Sequence, residues 1–281
     1  MKKRIWEIDF LRGILIIAVV FDHFMFDWLD LPYYAYNFEI LPEWMKNLHV
    51  FALFYWTHQA RFIIRAIALG LFFLLSGISS SFSRNNLKRG IKLLIFSFII
   101  SLSTIILYYI TKASTFLQTV DVRIYIGAIT CFAATIIIYG LLNKLLNRLD
   151  LSDHFKNYFF LFTGVLIILI SFLWGLYPQE YLDDLYVWNI KTFFEFIFGK
   201  LAYGNGDYFG LFPFLGYIFI GGFLGQTLYK DKKSKLEKFE NNSFIKDVSA
   251  IGRKTLYIYL LHQLVLFPIV ILILYLGGAR F

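Results

Sequence analysis

The chain alternates between long apolar runs and short polar connections. A helix of about 20 residues, rising about 1.5 Å per residue, crosses the hydrocarbon core of a bilayer, which is about 30 Å thick. The pattern therefore predicts an all-α bundle of about seven transmembrane helices in one domain, residues 1–281. The apolar runs are 9–29, 62–83, 91–111, 122–143, 157–176, 209–229 and 255–277. A further stretch, 187–201, is short and charged, which is typical of an interfacial or re-entrant helix.

Composition agrees with a membrane protein. Of the 281 residues, 59% are hydrophobic and 21% aromatic, and the mean hydropathy is +0.64. A water-soluble core could not bury so many large apolar side chains, whereas lipid solvates them. Cys131 is the only cysteine, and no spacing typical of metal ligands occurs. We therefore expect neither an intramolecular disulfide nor a metal.

The positive charge lies between the apolar runs. A net charge of +8 could indicate a nucleic-acid partner in a soluble protein, but Lys and Arg in short connections instead mark the cytoplasmic side of a membrane. All four cationic segments fall on one side, which predicts a cytoplasmic N-terminus: 2–4, 84–89, 144–156 and 230–254. The last of these is expected to be a solvated loop. The opposite connections carry aromatic residues expected at a membrane interface: Tyr33, Tyr34, Trp44, Trp56, Tyr177 and Trp188.

Ionisable residues interrupt the first predicted helix. At about 100° per residue, Asp9, Arg12, His23 and Asp27 fall within about 60° of one another and form a polar stripe. Such a stripe must face the interior of the bundle. Asp9 and Arg12 are close enough to pair, whereas His23 lies about 16 Å beyond Arg12. Asp22 points to another face and is expected to pack against a neighbouring helix. A buried imidazole near a carboxylate is suited to remove a proton from a hydroxyl or amine, and the alternative is a packed histidine.

Three polar residues mark the start of the second helix. His58, Arg61 and Arg65 are three and four residues apart and therefore share a face. Two cations entering the membrane together favour an anionic partner, whereas snorkelling to lipid phosphates is the structural alternative. His58 alone is also compatible with a solvated loop histidine. The small residues at 76–81 indicate close helix packing.

Two later segments add polar candidates. Asp207 precedes the sixth predicted helix, where it is expected to act as an N-cap, and Pro213 is expected to interrupt the first turns. In the last helix, His262 and Gln263 lie near mid-membrane, with Tyr259 one turn away. A buried hydrogen-bond cluster and a catalytic cluster are both compatible with these residues.

Four segments resemble a known family. The sequence IWEIDFLRG at 5–13, with a histidine fourteen residues after Asp9, resembles the start of the transmembrane acyltransferase superfamily. FFLLSGISSSFSRNNLKRG at 72–90, the stretch 207–225 and GRKTLYIYLLHQ at 252–263 look like later motifs of one of its branches. That branch is the bacterial family related to the catalytic domain of heparan-α-glucosaminide N-acetyltransferase.

The resemblance implies acyl transfer from cytoplasmic acetyl-CoA to an acceptor on the far side of a bacterial cytoplasmic membrane. Asp9 and Arg12 match the Asp-x-x-Arg-Gly motif of the family, and with Arg89 they are expected to serve the coenzyme A end. His23 matches the position of a histidine implicated in catalysis. The lysosomal enzyme instead uses a histidine in the following loop, whose nearest counterpart is His58. We rank His23 first as the catalytic base and His58 second.

The implied acceptor is a hydroxyl or amine of a cell-envelope glycan or glycolipid. The residues expected to bind it are Asp27, Arg61, Arg65, Asp207 and His262. Besides the acyl donor, the acceptor and the lipid bilayer, a second copy of the chain stays open as a partner. Two other function classes also stay open. One is a transporter or channel whose path the polar stripe lines, although no inverted repeat is visible, and the other is a noncatalytic membrane partner.

Overall fold

The computed structural model describes residues 4–111, 123–176, 180–182, 189–203 and 208–280. Among these residues the fold is built from ten α-helices, with three short 3-10 helices and two three-residue strands. The all-α prediction is therefore confirmed. The helices are α1 Trp6–Asp30, α2 Glu43–Thr57, α3 Gln59–Ser81, α4 Asn86–Thr111, α5 Ala128–Arg148, α6 Asp153–Leu173, α7 Ile190–Phe198, α8 Phe214–Thr227, α9 Ser243–Arg253 and α10 Thr255–Leu276. The predicted roles of Asp207, Tyr177 and Trp188 lie outside the described residues.

Five described helices are long and apolar enough to cross a membrane: α3, α4, α5, α6 and α10. The 25-residue α1 is also long enough, but it is more highly charged. The 14-residue α8 is apolar but measures only about 21 Å. Together with these two helices the count reaches the predicted seven. The predicted start of α8 at residue 209 was wrong, since Pro213 precedes the helix instead of interrupting it.

The chain divides into two compact units. The first consists of residues 1–72 and 231–281, and the second of residues 73–230. In the first unit, α1 packs against α9, α10 and α2. The segment 230–254 was expected to be a solvated loop. This prediction was only partly right, since residues 243–253 form α9, which packs along α1. Helix α2 was not predicted either, and it occupies the connection between the first two predicted spans.

An apolar cluster closes one end of the first unit. Met25 and Trp28 from α1 pack with Met45 from α2 and with Val270 and Leu274 from α10, all nearly inaccessible to solvent. Next to the cluster, backbone and side-chain hydrogen bonds join the 3-10 region after α1 to the end of the chain. These contacts fix the far ends of α1 and α10 relative to each other.

The second unit is built on two helix pairs, α4 with α5 and α6 with α8. Small residues allow close approach: a Cβ on Gly77 would lie 2.3 Å from the carbonyl oxygen of Ile218, and one on Gly164 would lie 2.8 Å from that of Gly216. The packing role predicted for the small residues of α3 is therefore confirmed.

Helix α7 belongs to the same unit and is short. An Asn189–Thr192 capping box begins it, and Gly199, with φ of 101°, ends it. Its nine residues span about 14 Å, which is too short to cross a bilayer. The strands that flank α7, β1 Glu180–Leu182 and β2 Leu201–Tyr203, pair in parallel.

Candidate active site along the first helix

Two segments that resemble family motifs contact each other where α1 meets α9. A Cβ on Gly252 would lie 1.7 Å from the carbonyl oxygen of Asp9, and one on Gly13 would lie 2.1 Å from that of Val248. Only glycine permits such backbone approach. The Asp-x-x-Arg-Gly segment and the start of GRKTLYIYLLHQ therefore form one packed element.

The first turns of α1 carry buried carboxylates. Asp9 is 3% exposed, and its Oδ2 accepts a hydrogen bond of 3.0 Å from the Nε of Arg4. Glu7 is 5% exposed, and its Oε1 accepts a 2.7 Å hydrogen bond from the backbone N–H of Lys235. Arg12 lies half-buried one turn beyond Asp9. The sequence suggested Arg12 as a partner of Asp9, and the structure shows an ion pair between Asp9 and Arg4.

A cavity of about 340 Å³ opens at this end of α1. Its size is within the range of small-molecule sites, which is about 300–1,000 Å³. The lining residues come from α1, α9 and the segments preceding each: Arg4, Trp6, Asp9, Glu240, Ile245, Lys246, Ser249 and Arg253. Asp9 thus lies on the wall of a cavity lined by three cations, although only Asp9 of this set was predicted as a site residue.

Two histidines meet farther along α1. The rings of His23 on α1 and His262 on α10 lie 4.7 Å apart between centroids, inclined by 63°. The Nδ1 of His262 is 2.7 Å from the carbonyl oxygen of Tyr259. Because a carbonyl oxygen only accepts, Nδ1 carries the proton, and in the neutral ring Nε2 carries the lone pair. The structure thus brings together two predicted site residues that are 239 positions apart in the sequence.

Asp27 lies one turn beyond His23. It is 2% exposed, and its Oδ1 accepts a 2.7 Å hydrogen bond from the Nε2 of Gln263, the neighbour of His262. Within the described residues, Asp27 Oδ2 and Gln263 Oε1 are buried without a hydrogen-bond partner. The pair of helices α1 and α10 therefore presents buried acceptors beside the two imidazole rings.

Asp22 faces a different set of residues. Its carboxylate accepts two hydrogen bonds from Arg61, at 2.8 and 2.9 Å, and one of 3.0 Å from the hydroxyl of Tyr55. The Arg61 guanidinium also lies 3.3 Å from the ring centroid of Trp56 and is almost fully buried. The packing role expected for Asp22 is seen here. Tyr55 was not singled out in the sequence, since a tyrosine in an aromatic-rich connection carries no signal of its own.

The other predicted site residues occupy separate positions. His58 is exposed between α2 and α3, where its Nδ1 accepts a 3.2 Å hydrogen bond from the backbone N–H of Ala60. Arg65 is exposed on α3. Arg89 belongs to the second unit, where it donates to the hydroxyls of Ser80 and Ser76 at 3.3 and 3.4 Å. Within the described residues, no group of three His, Cys, Asp or Glu side chains is placed to hold a metal.

The chain is a polytopic helical membrane protein. Its first unit carries a cationic cavity at the start of α1 and, farther along α1, a histidine pair with α10. The sequence matches the family model of heparan-alpha-glucosaminide N-acetyltransferase, catalytic, over residues 4–264. The chain therefore belongs to this transferase family, and the resemblance seen in the motifs is confirmed. No curated protein and no solved structure gives a significant match.

Proposed function

We propose that the protein is a membrane acyltransferase that moves an acetyl group from cytoplasmic acetyl-CoA to a hydroxyl or amine of an extracytoplasmic glycan or glycolipid. The observation that carries the proposal is the contact between His23 and His262, whose ring centroids are 4.7 Å apart. The two histidines come from opposite ends of the family match. A pair of imidazoles inside a helical membrane protein supplies a proton acceptor where water cannot.

His23 is the general base of the proposed reaction. One of its ring nitrogens takes the proton of the acceptor hydroxyl or amine while the acceptor atom attacks the acyl carbonyl carbon. The carbon–sulfur bond then breaks, and the leaving thiolate receives the proton. The ring of His262 contacts that of His23 edge to face and is proposed to hold it in position. The Tyr259 carbonyl fixes the tautomer of neutral His262.

The donor binds at the start of α1. Asp9 and Arg12 lie there. That Arg89, which belongs to the second unit, also serves the coenzyme A end stays a prediction from the sequence. Asp9 is fourteen residues before His23, which corresponds to about 21 Å along the helix axis. The phosphates and the acyl group of the donor must therefore be separated by a long, extended arm, which coenzyme A has.

The acceptor binds around the histidine pair. Two observations support this proposal: the ring of His262 contacts that of His23, and Asp27, one turn beyond His23, accepts a hydrogen bond from Gln263. Arg61 and Arg65 are proposed to complete the acceptor site, and the role predicted for Asp207 stays a prediction from the sequence. For Arg61, the guanidinium is already paired with Asp22, so its contact with an acceptor would be made from within that ion pair.

The test measures acetyl-CoA turnover by the purified protein with a panel of soluble amino sugars and sugar alcohols. Turnover is monitored as the release of free thiol. Loss of a general base costs about 10²–10⁴-fold in rate. We expect His23→Ala to lose at least about 100-fold, His58→Ala to change the rate less than about threefold, and exposed His154→Ala, the matched control, to leave it unchanged.

Two results would contradict this assignment. Wild-type turnover with His23→Ala and loss with His58→Ala would transfer the role of base to His58. Substrate-dependent flux into liposomes without coenzyme A, in protein that releases no thiol with any acceptor, would favour the transporter class instead.

A further inference from the structure

The cavity at the start of α1 carries a charge pattern that the proposed reaction does not itself assign. Lys246, Ser249 and Arg253 lie at positions i, i+3 and i+7 of α9 and line the cavity. This spacing places three hydrogen-bond donors along one face of a helix. The opposite wall is formed by the beginning of α1.

The cations of the cavity differ in their partners. Arg4 is paired with Asp9, so that these two charges compensate each other. In the described part of the chain, Lys246 and Arg253 have no carboxylate within ion-pair distance, although Glu240 lines the same cavity. The cavity therefore offers two unused positive charges against one negative side chain.

A buried donor accompanies these charges. The indole N–H of Trp6, a lining residue, is buried and has no hydrogen-bond acceptor among the described residues. Ser249, which is 3% exposed, makes only a long 3.5 Å contact to the Trp6 carbonyl oxygen. Leaving a buried donor without an acceptor is unfavourable, and an added acceptor would offset this cost.

We propose that this cavity is a binding site for a phosphate group, held by Lys246 and Arg253 with Ser249 and the Trp6 indole N–H as further donors. Phosphate oxygens match the donors, and charge-assisted hydrogen bonds of this type are about twice as strong as neutral ones. The phosphate comes either from the acyl donor or from a lipid headgroup of the adjacent leaflet. In the first case this inference rests on the proposed function and identifies residues that bind the acyl donor. In the second case it is independent of that function.

Binding of coenzyme A to the full-length protein in nanodiscs of zwitterionic phosphatidylcholine tests the donor source. We expect the double variant Lys246→Gln with Arg253→Gln to weaken binding at least about 10-fold, as for loss of two charge-assisted contacts. Lys238→Gln with Arg148→Gln, which removes one Lys and one Arg outside the cavity, is the matched control and should bind as wild type does.

Glu240→Gln supplies a test in the opposite direction. Removing the negative charge from the cavity wall should tighten binding of the anion by about threefold or more. A variant that merely unfolds the site cannot bind more tightly, so this result separates charge recognition from loss of structure.

Retention of phosphatidylglycerol through purification, counted by mass spectrometry, tests the lipid source. If the cavity variant keeps full affinity for coenzyme A but loses bound phosphatidylglycerol, the site is a lipid headgroup site and the donor-binding assignment fails while phosphate recognition stands. Unchanged coenzyme A affinity together with unchanged lipid retention in the cavity variant overturns the proposal. The proposed function fails separately, through absence of thiol release in the wild type.

Discussion

Three acidic residues of α1 have three different environments. Asp9 is paired with Arg4, Asp22 is held by Arg61 and Tyr55, and Asp27 is bonded to Gln263 with no cationic partner in the described part of the chain. Helical periodicity correctly separated Asp22 from the stripe that contains Asp27. It could not name their partners, because those come from segments far away in the sequence and depend on how the helices pack.

The Asp22–Arg61 pair predicts a strong effect of removing one charge. In Arg61→Met the half-buried carboxylate of Asp22 loses its bidentate partner, and breaking such a pair costs about 3–5 kcal/mol when it is fully buried. Asp22 is 23% exposed in its side chain, so we expect about 2–4 kcal/mol here. The measurement is the apparent Tm in detergent. The double variant Asp22→Asn with Arg61→Met should recover much of the loss, and a double variant no more stable than Arg61→Met would contradict the ion-pair explanation.

At the scale of helices, the sequence pattern predicted the long spans and the short α7 but missed α2 and α9. The seven long apolar runs correspond to α1, α3–α6, α8 and α10, because hydrophobicity alone determines which segments lipid can surround. Helix α9 was missed because its segment is rich in lysine. Its packing against α1 depends on glycines that contact residues far away in the sequence, which a local pattern does not show. Asn242 caps it, accepting a hydrogen bond from the N–H of Ile245, and this cap was readable in principle.

The α1–α9 contact predicts intolerance of any side chain at Gly252. A Cβ there would lie 1.7 Å from the Asp9 carbonyl oxygen, so the two backbones must separate. Overpacking of this kind costs about 1–3 kcal/mol for a small group, and we expect Gly252→Ala to lower the apparent Tm and Gly252→Val to lower it further. Ile17→Ala, at a position of α1 that is 46% exposed, serves as the control. Equal stability of Gly252→Val and wild type would show that the helices are not in close contact.

At the scale of the whole molecule, most predicted site residues fall in one unit. Asp9, Arg12, His23 and Asp27 lie on α1 and His262 lies on α10, all within the first unit, whereas Arg89 lies in the second unit. The sequence indicated these residues individually, through the cost of placing charge in a membrane. It could not indicate that Lys246 and Arg253 line the same cavity as Asp9, because surface cations before a membrane span are read first as topology signals.

The positions of the lysine and arginine residues predict how the protein is oriented in the membrane. If Lys and Arg are retained on the cytoplasmic side, α9 and the start of α1 face the cytoplasm, and the segment between α1 and α2 faces outward. Single cysteines at Lys238 and Tyr36, both exposed, can be tested in a Cys131→Ser background, since Cys131 is the sole native cysteine. A membrane-impermeant maleimide should label Tyr36→Cys in intact cells and Lys238→Cys only after permeabilisation. The reverse labelling would place the cationic cavity outside the cell, where cytoplasmic acetyl-CoA could not reach it, and would exclude the proposed donor side.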